Sequence, residues 1–233
     1  NLLAAEMGGK ERLETFRREI SIVARLRGSP YVVQFLGACM HPTAHFIVTE
    51  LMSNKSVEYW IRSPDKVLSV PERVRMGLDA ARGMLHIHAE GLIHGDLALR
   101  NLLVDDTFRV KVTDFGLSRV RTGSLNEVSQ AMGTPVTMAP ELIQGHAIST
   151  KVDVYSFGVV LWQLYTRDDP FPGLTPMQVA WRVVMQGERP EIPAHTPSSL
   201  TQLIERCWAA SADDRPDFTV IVRELSLIAV QPL

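Results

Sequence analysis

The spacing of apolar residues along the chain divides it into a short mixed region and a long helical one. Leu13, Phe16, Ile20 and Val23 fall on one face of ERLETFRREISIVARLRG, which predicts an amphipathic helix ending at Gly28. Two strand-like runs follow, YVVQFLGA and HFIVTELM, joined by a short polar link containing Pro42. After SNKS the helical period returns, with Val74, Leu78, Ala81, Leu85 and His88 on one face behind Pro71, a good first-turn residue. LLVDDTFRVKVTDFG alternates around Asp105–Asp106 and predicts a small hairpin. No period is visible in LSRVRTGSLNEVSQAMGTP, which reads as a long polar loop of the kind that carries function in a domain. VDVYSFGVVLWQLY is apolar nearly all round and predicts a helix in the middle of the domain, with Thr150 and Asp153 in capping-box spacing at its start. TPMQVAWRVVMQG reads as a helix opened by Thr175–Pro176 and closed by Gly187, and SLTQLIERCWA and DFTVIVRELSLIA as two more. Methionine and tryptophan at helical spacing read as core. The pattern is a few strands and one helix up to about residue 52, then a mostly helical body.

Composition narrows the classes. The 233 residues are 45% hydrophobic and 21% charged, with a net charge of −2, which is enough for a sizeable core in one large domain or a large one with a small companion. That balance gives no support to nucleic-acid or anionic-membrane binding. Cys39 and Cys207 are too few for a disulfide framework and read as reduced, buried thiols of an intracellular domain. The most apolar stretch is broken by Asp153, Ser156 and Gln163 and is too short to span a bilayer. The chain begins at Asn1 rather than Met, and reads as cut from something longer.

The chemistry-bearing residues cluster in two places. LIHGDLALRN sets Asp96 and Asn101 among apolar neighbours, and VTDFG places Asp114 at a strand end. An Asp and an Asn from neighbouring loops supply the hard oxygens that Mg²⁺ takes together with phosphates and water. Asp96 beside them has the chemistry to accept a hydroxyl proton. His86, His88 and His94 lack a fourth ligand at metal spacing and read as structural.

Taken in order, these residues resemble the protein-kinase signature set. HGDLALRN is similar to the H-R-D-L-x-x-x-N catalytic loop, Asp114–Phe115–Gly116 to D-F-G, and Met138–Ala139–Pro140–Glu141 to the A-P-E block. DVYSFGVVLWQLYTRDDPFPG and CWAASADDRPDF resemble later blocks of tyrosine kinases and of tyrosine-kinase-like serine/threonine kinases. The likeness runs from about Glu11 to Ile228. It implies an α+β, bilobal protein-kinase-like fold: residues 1–52 as a partial N-lobe and hinge, residues 53–233 as a mostly helical C-lobe. It also implies ATP with Mg²⁺ or Mn²⁺ as cofactors and a protein substrate as partner, in the cytoplasm or in the intracellular part of a larger or membrane-anchored protein.

The resemblance assigns roles by position. Asp96 would accept the proton of the substrate hydroxyl, and Asn101 and Asp114 would bind the metal bridging the ATP phosphates. Thr49 would back the adenine pocket, Glu50 and Met52 would offer backbone groups to the base, and Leu103 would lie beneath it. Glu19 falls where the family's helix glutamate pairs with a strand lysine. Glu141 and Arg215 would form a buried pair anchoring the activation segment, and Asp153 would accept hydrogen bonds from the catalytic-loop backbone.

Two departures from the family pattern stand out. Only NLLAAEMGGK precedes the Glu19 helix, and neither Lys10 nor MGGK replaces a strand lysine and a G-x-G-x-x-G loop. Truncation is the expected reason, and this piece is expected to be poorly active in isolation. Gly95 stands in place of the H-R-D arginine, which removes a partner for a phosphorylated activation loop rather than a chemical group. Thr122, Ser124 and Ser129 are phosphorylation candidates, with Arg119 or Arg121 as a phosphate holder. For substrate class, Ala98 stands where serine/threonine kinases place a lysine, and Thr137 where an aromatic residue is common. GTPVTMAPE, by contrast, supplies Thr134 in the serine/threonine manner, and no tyrosine lies between Phe115 and Glu141. The reading taken is a serine/threonine kinase, with tyrosine or dual specificity, or a pseudokinase scaffold, as alternatives.

Overall fold

The structure, a computed structural model, describes residues 9–41, 44–115, 119–120 and 135–230. It opens with α1 (Gly9–Arg25), whose Ile22 and Val23 are buried, and turns at Gly28 in a left-handed conformation (φ 95°). Strands β1 (Phe35–His41) and β2 (Ala44–Thr49) pair antiparallel with a bulge between Phe35 and Gly37. The first predicted strand thus begins later than its apolar run. Tyr31 to Val33 pair elsewhere, because Val33 donates its amide to the Val112 carbonyl and Val112 donates to that of Tyr31, both at 2.9 Å.

The body is helical. After α2 (Val57–Arg62), α3 (Val70–Ala89) starts at a capping box in which Ser69 and Glu72 each hold the other's backbone amide, with Pro71 in the first turn. Gly83 is required where α3 meets the strand region, since a Cβ there would lie 2.5 Å from the Tyr31 carbonyl oxygen. The predicted hairpin is present as β4 (Leu102–Val104) and β5 (Val110–Val112), its turn held by Asp105 Oδ1, which accepts from the Thr107 and Arg109 amides. Strand β3 (Leu92–Ile93) pairs with β6 (Arg119–Val120). Then come α4 (Pro140–Ile143), α5 (Lys151–Thr166), α6 (Pro176–Trp181), α7 (Ser198–Cys207) and α8 (Phe218–Ile228).

Helix α5 is buried from Val152 to Leu164 and packs against α3 and α7, while α8 closes over α3. This is the central helix that the all-round apolar pattern predicts. Its start differs. Thr150 is helical itself and makes no side-chain cap, and the Asp153 carboxylate is taken by donors from other elements. The predicted helix after Thr175–Pro176 keeps its capping box, with Gln178, and its terminal Gly187, but its second half, Arg182–Gln186, is π-helical. The core reading fails there: Met177 and Met185 are exposed and Trp181 is 55% exposed. The residues of this helix that face inward are Val179 and Val183. Both cysteines are free, but only Cys207 is buried. Burial pushes its thiol up to about 12, so it stays protonated and inert. No described helix is long and apolar enough to cross a membrane.

Candidate active site

The loop between β3 and β4 is held from below by one carboxylate. Asp153, fully buried on α5, accepts from the His94 amide at 2.9 Å, the Gly95 amide at 2.8 Å and His88 Nε2 at 2.8 Å. Burial acts to raise its pKa, but the His88 hydrogen bond, the two neighbouring histidines and the Gly95 amide outweigh it and hold the carboxyl below the usual range. Gly95 sits at φ 79°, a conformation that strains any residue with a Cβ, so glycine is the residue this turn favours. His94 is buried and bridges onward: its Nδ1 accepts from the Asp96 amide at 3.2 Å, and its Nε2 donates to the Thr113 carbonyl at 3.0 Å. The two contacts agree on one tautomer. Phe115 is buried with its ring edge-on to His94, centroids 5.6 Å apart.

Asn101 links Asp96 to the Asp114 loop. It is buried in the turn Leu99–Asn101, and its Nδ2 donates to the Asp96 carbonyl at 2.8 Å and to Asp96 Oδ2 at 3.0 Å. Its own carbonyl accepts the Thr113 amide at 3.0 Å, one residue before Asp114. Asp114 is exposed and left-handed at φ 65°, a costly backbone state for a residue other than glycine and one concentrated at functional sites. Its carboxylate is close enough to Glu19 on α1 to act on it. Partial burial first, and the Asp114 charge second, raise the Glu19 carboxyl above its usual range.

Sequence reasoning did not single out Arg100. Its guanidinium grips the Asp96 carboxylate at 2.5 and 2.6 Å, and the four-residue spacing from Asp96 was the only hint in the sequence. At the other edge, Thr49 ends β2, and Glu50 is strapped to Gln34 in both directions: its amide donates to the Gln34 carbonyl at 3.0 Å and its Oε1 accepts from the Gln34 amide at 2.7 Å. Of Glu50's backbone groups, the carbonyl already accepts from Thr49 Oγ1 at 3.3 Å and keeps a second lone pair for a ligand. Met52 is half-buried, as is Leu103, which lies on β4 across from Ser56.

Farther out, Arg215 is 1% exposed and donates to both Glu141 oxygens, at 2.6 and 3.0 Å. It also donates to the carbonyls of Ala209 and Lys151 and lies 5.2 Å from the Tyr155 ring centre. Thr137 is buried, its carbonyl accepting from Ser156 Oγ at 2.7 Å. Arg121, Thr122, Ser124, Ser129, Thr134 and the side chains of Lys10 and Arg119 lie outside the described residues.

The donor set suits one small hard cation bound together with phosphates. No group of three or more His, Cys, Asp or Glu side chains able to hold a metal occurs among the described residues. Asn101 gives its Nδ2 to Asp96, which leaves its Oδ1 as a ligand, and Asp114 and Glu19 together make a region of excess negative charge.

A family model described as protein tyrosine and serine/threonine kinase matches residues 3–225. This chain belongs to the protein kinase family. Within that family it is of the tyrosine-kinase-like type, and its α+β architecture is the bilobal kinase fold. It is 43% identical over 213 residues to the serine/threonine/tyrosine-protein kinase HT1 of Arabidopsis thaliana, covering 91% of this chain and 54% of that protein. It is 40% identical to the dual specificity protein kinase shkA of Dictyostelium discoideum, covering 95% of the chain and 43% of that kinase. Against the serine/threonine-protein kinase CTR1 of Arabidopsis thaliana it is 39% identical, covering 95% and 28%. The kinase chain thus spans about half or less of the length of these relatives.

Proposed function

We propose that this chain carries the active site of an ATP-dependent protein kinase acting on serine and threonine hydroxyls. The observation that carries the reading is the single hydrogen-bonded unit formed by Asp96, Asn101 and the strand end leading to Asp114. In this reading Asp96 orients the substrate hydroxyl and takes its proton as the oxygen bonds to the γ-phosphorus and the bond to ADP breaks. Asn101 and Asp114 would hold Mg²⁺ or Mn²⁺ through their oxygens. Such a cation, when bound there, would supply positive charge against what builds up during transfer. Asp153 fixes the loop backbone, so the base is in place before substrate arrives. Thr49, the Glu50 carbonyl, Met52 and Leu103 would receive the adenine. Residues 1–52 are read as a partial N-lobe and hinge and 53–233 as the C-lobe, a division supported by β2 ending at Thr49 and α2 starting at Val57. The setting is read as cytoplasmic.

A second reading, dual specificity, is favoured by one feature: the cation on Asp96 comes from Arg100, with Ala98 where serine/threonine kinases carry lysine. Two relatives bear serine/threonine/tyrosine or dual-specificity names. The test is transfer of labelled γ-phosphate to a mixed protein substrate by the complete protein, followed by phosphoamino-acid analysis. Phosphoserine and phosphothreonine that vanish in Asp96→Asn support the main reading, and added phosphotyrosine supports the second. Binding of Mg·ATP with no transfer would contradict both and leave a scaffold.

A further inference from the structure

Lys111 on β5 is used by none of the roles assigned above, yet it spans the two halves of the nucleotide site. Its Nζ donates to Glu50 Oε2 at 2.7 Å and lies 3.8 Å from Asp105 Oδ2. The pair is sheltered, with the lysine side chain 13% exposed and the glutamate 27%. Glu50 belongs to the segment proposed to read adenine. Lys111 lies on the strand whose end, through Thr113, leads to Asp114.

The strand itself is fixed by backbone. It pairs with β4 on one side, and on the other Val112 exchanges hydrogen bonds with residues 31 and 33. Glu50 is fixed to Gln34 through its amide and Oε1. Among the described residues, the side-chain bond that ties Glu50 directly to β5 is the Lys111 ion pair. A sheltered, charge-assisted hydrogen bond of this length sets separation as well as energy.

We infer that Lys111 is a positioning residue for the nucleotide: it sets the distance between the adenine-reading carbonyl of Glu50 and the metal-binding oxygens of Asp114. The inference rests on the proposed kinase reading. A ligand that engages both ends at once depends on that distance, whereas one that engages only the adenine end does not. Loss of Lys111 therefore affects Mg·ATP far more than adenosine.

The experiment is calorimetric titration of the complete protein with Mg·ATP and, separately, with adenosine, for the wild type, Lys111→Met, Lys111→Gln and Lys111→Arg. Lys111→Met and Lys111→Gln weaken Mg·ATP by about fivefold, the effect of losing one sheltered charge-assisted pair, and change adenosine by less than about twofold. Lys111→Arg recovers most of the difference. Lys111→Gln keeps a polar side chain at this position, so it carries the test if Lys111→Met does not fold. Equal weakening of both ligands, or no weakening of Mg·ATP, overturns the inference while leaving the kinase reading intact. A complete wild-type protein that binds neither ligand overturns both.

Discussion

In the helical body, α5 is buried from Val152 to Leu164, and both carboxylate oxygens of Asp153 at its heart meet a donor. In the N-terminal region, the β1–β2 pair leaves Leu36, Met40, Phe46 and Val48 exposed, and α1 brings Glu19 within reach of the like charge of Asp114. The two carboxylates respond in opposite directions: Asp153 is held below its ordinary pKa and Glu19 above it. The difference shows where each part of the site is set. Asp96, the proposed base, sits on a loop fixed by the tightly packed half, through backbone bonds to Asp153. The proposed adenine edge and Glu19 belong to the thinly packed half, where adjustment is cheap and local opening is expected.

The contrast can be broken most severely at its centre. Asp153→Ala strands the His94 and Gly95 amides and His88 Nε2 in the core, and is expected to destabilise the fold by about 4 kcal/mol in urea denaturation. Glu141→Ala leaves Arg215 buried but still donating to the Ala209 and Lys151 carbonyls, so about 3 kcal/mol is expected by the same method. Gly95→Ala forces a Cβ into a left-handed turn and is expected to lose about 1 kcal/mol. A loss of under a few tenths of a kcal/mol there would mean that the Asp153 bonds do not hold this turn.

The smallest effects are in pH dependence, and their signs differ between the halves. Asp153, depressed in the fold, contributes stability that is present above its ordinary pKa of 3.8 and lost as pH falls through its lower folded value. Glu19, raised in the fold, contributes stability that is present below its ordinary 4.5 and lost as pH rises through its higher folded value. Denaturation midpoints of Asp153→Asn and Glu19→Gln across pH 3 to 6 should therefore diverge from wild type in opposite directions (a span chosen to bracket both ordinary carboxylate values).

Much of the body was legible because its signals are local. The period of α3, the all-round apolar run of α5 and the Asp-Asp turn of the β4–β5 hairpin each lie within one segment. The ordered motifs named the family correctly. What escaped depends on contacts between distant segments. Thr150 and Asp153 have capping-box spacing, but three donors from α3 and the β3–β4 loop take the carboxylate instead. Tyr31 to Val33 look like the start of β1, yet bond to β5. Met177, Trp181 and Met185 have core chemistry but lie on the outward face of α6 and its π-helical extension, while Val179 and Val183 face inward. Gly95 reads in sequence only as an absent arginine, whereas its φ of 79° gives the glycine a conformational role of its own.

The most direct measurement is thermal unfolding with and without Mg·ATP, for the wild type and Asp114→Ala. At about a hundredfold excess over Kd, Mg·ATP should raise the wild-type midpoint by about 5 °C. Asp114→Ala should unfold at nearly the wild-type temperature without ligand and show little or no rise with it. An equal rise in both proteins, or none in the wild type, would contradict a nucleotide site organised by Asp114.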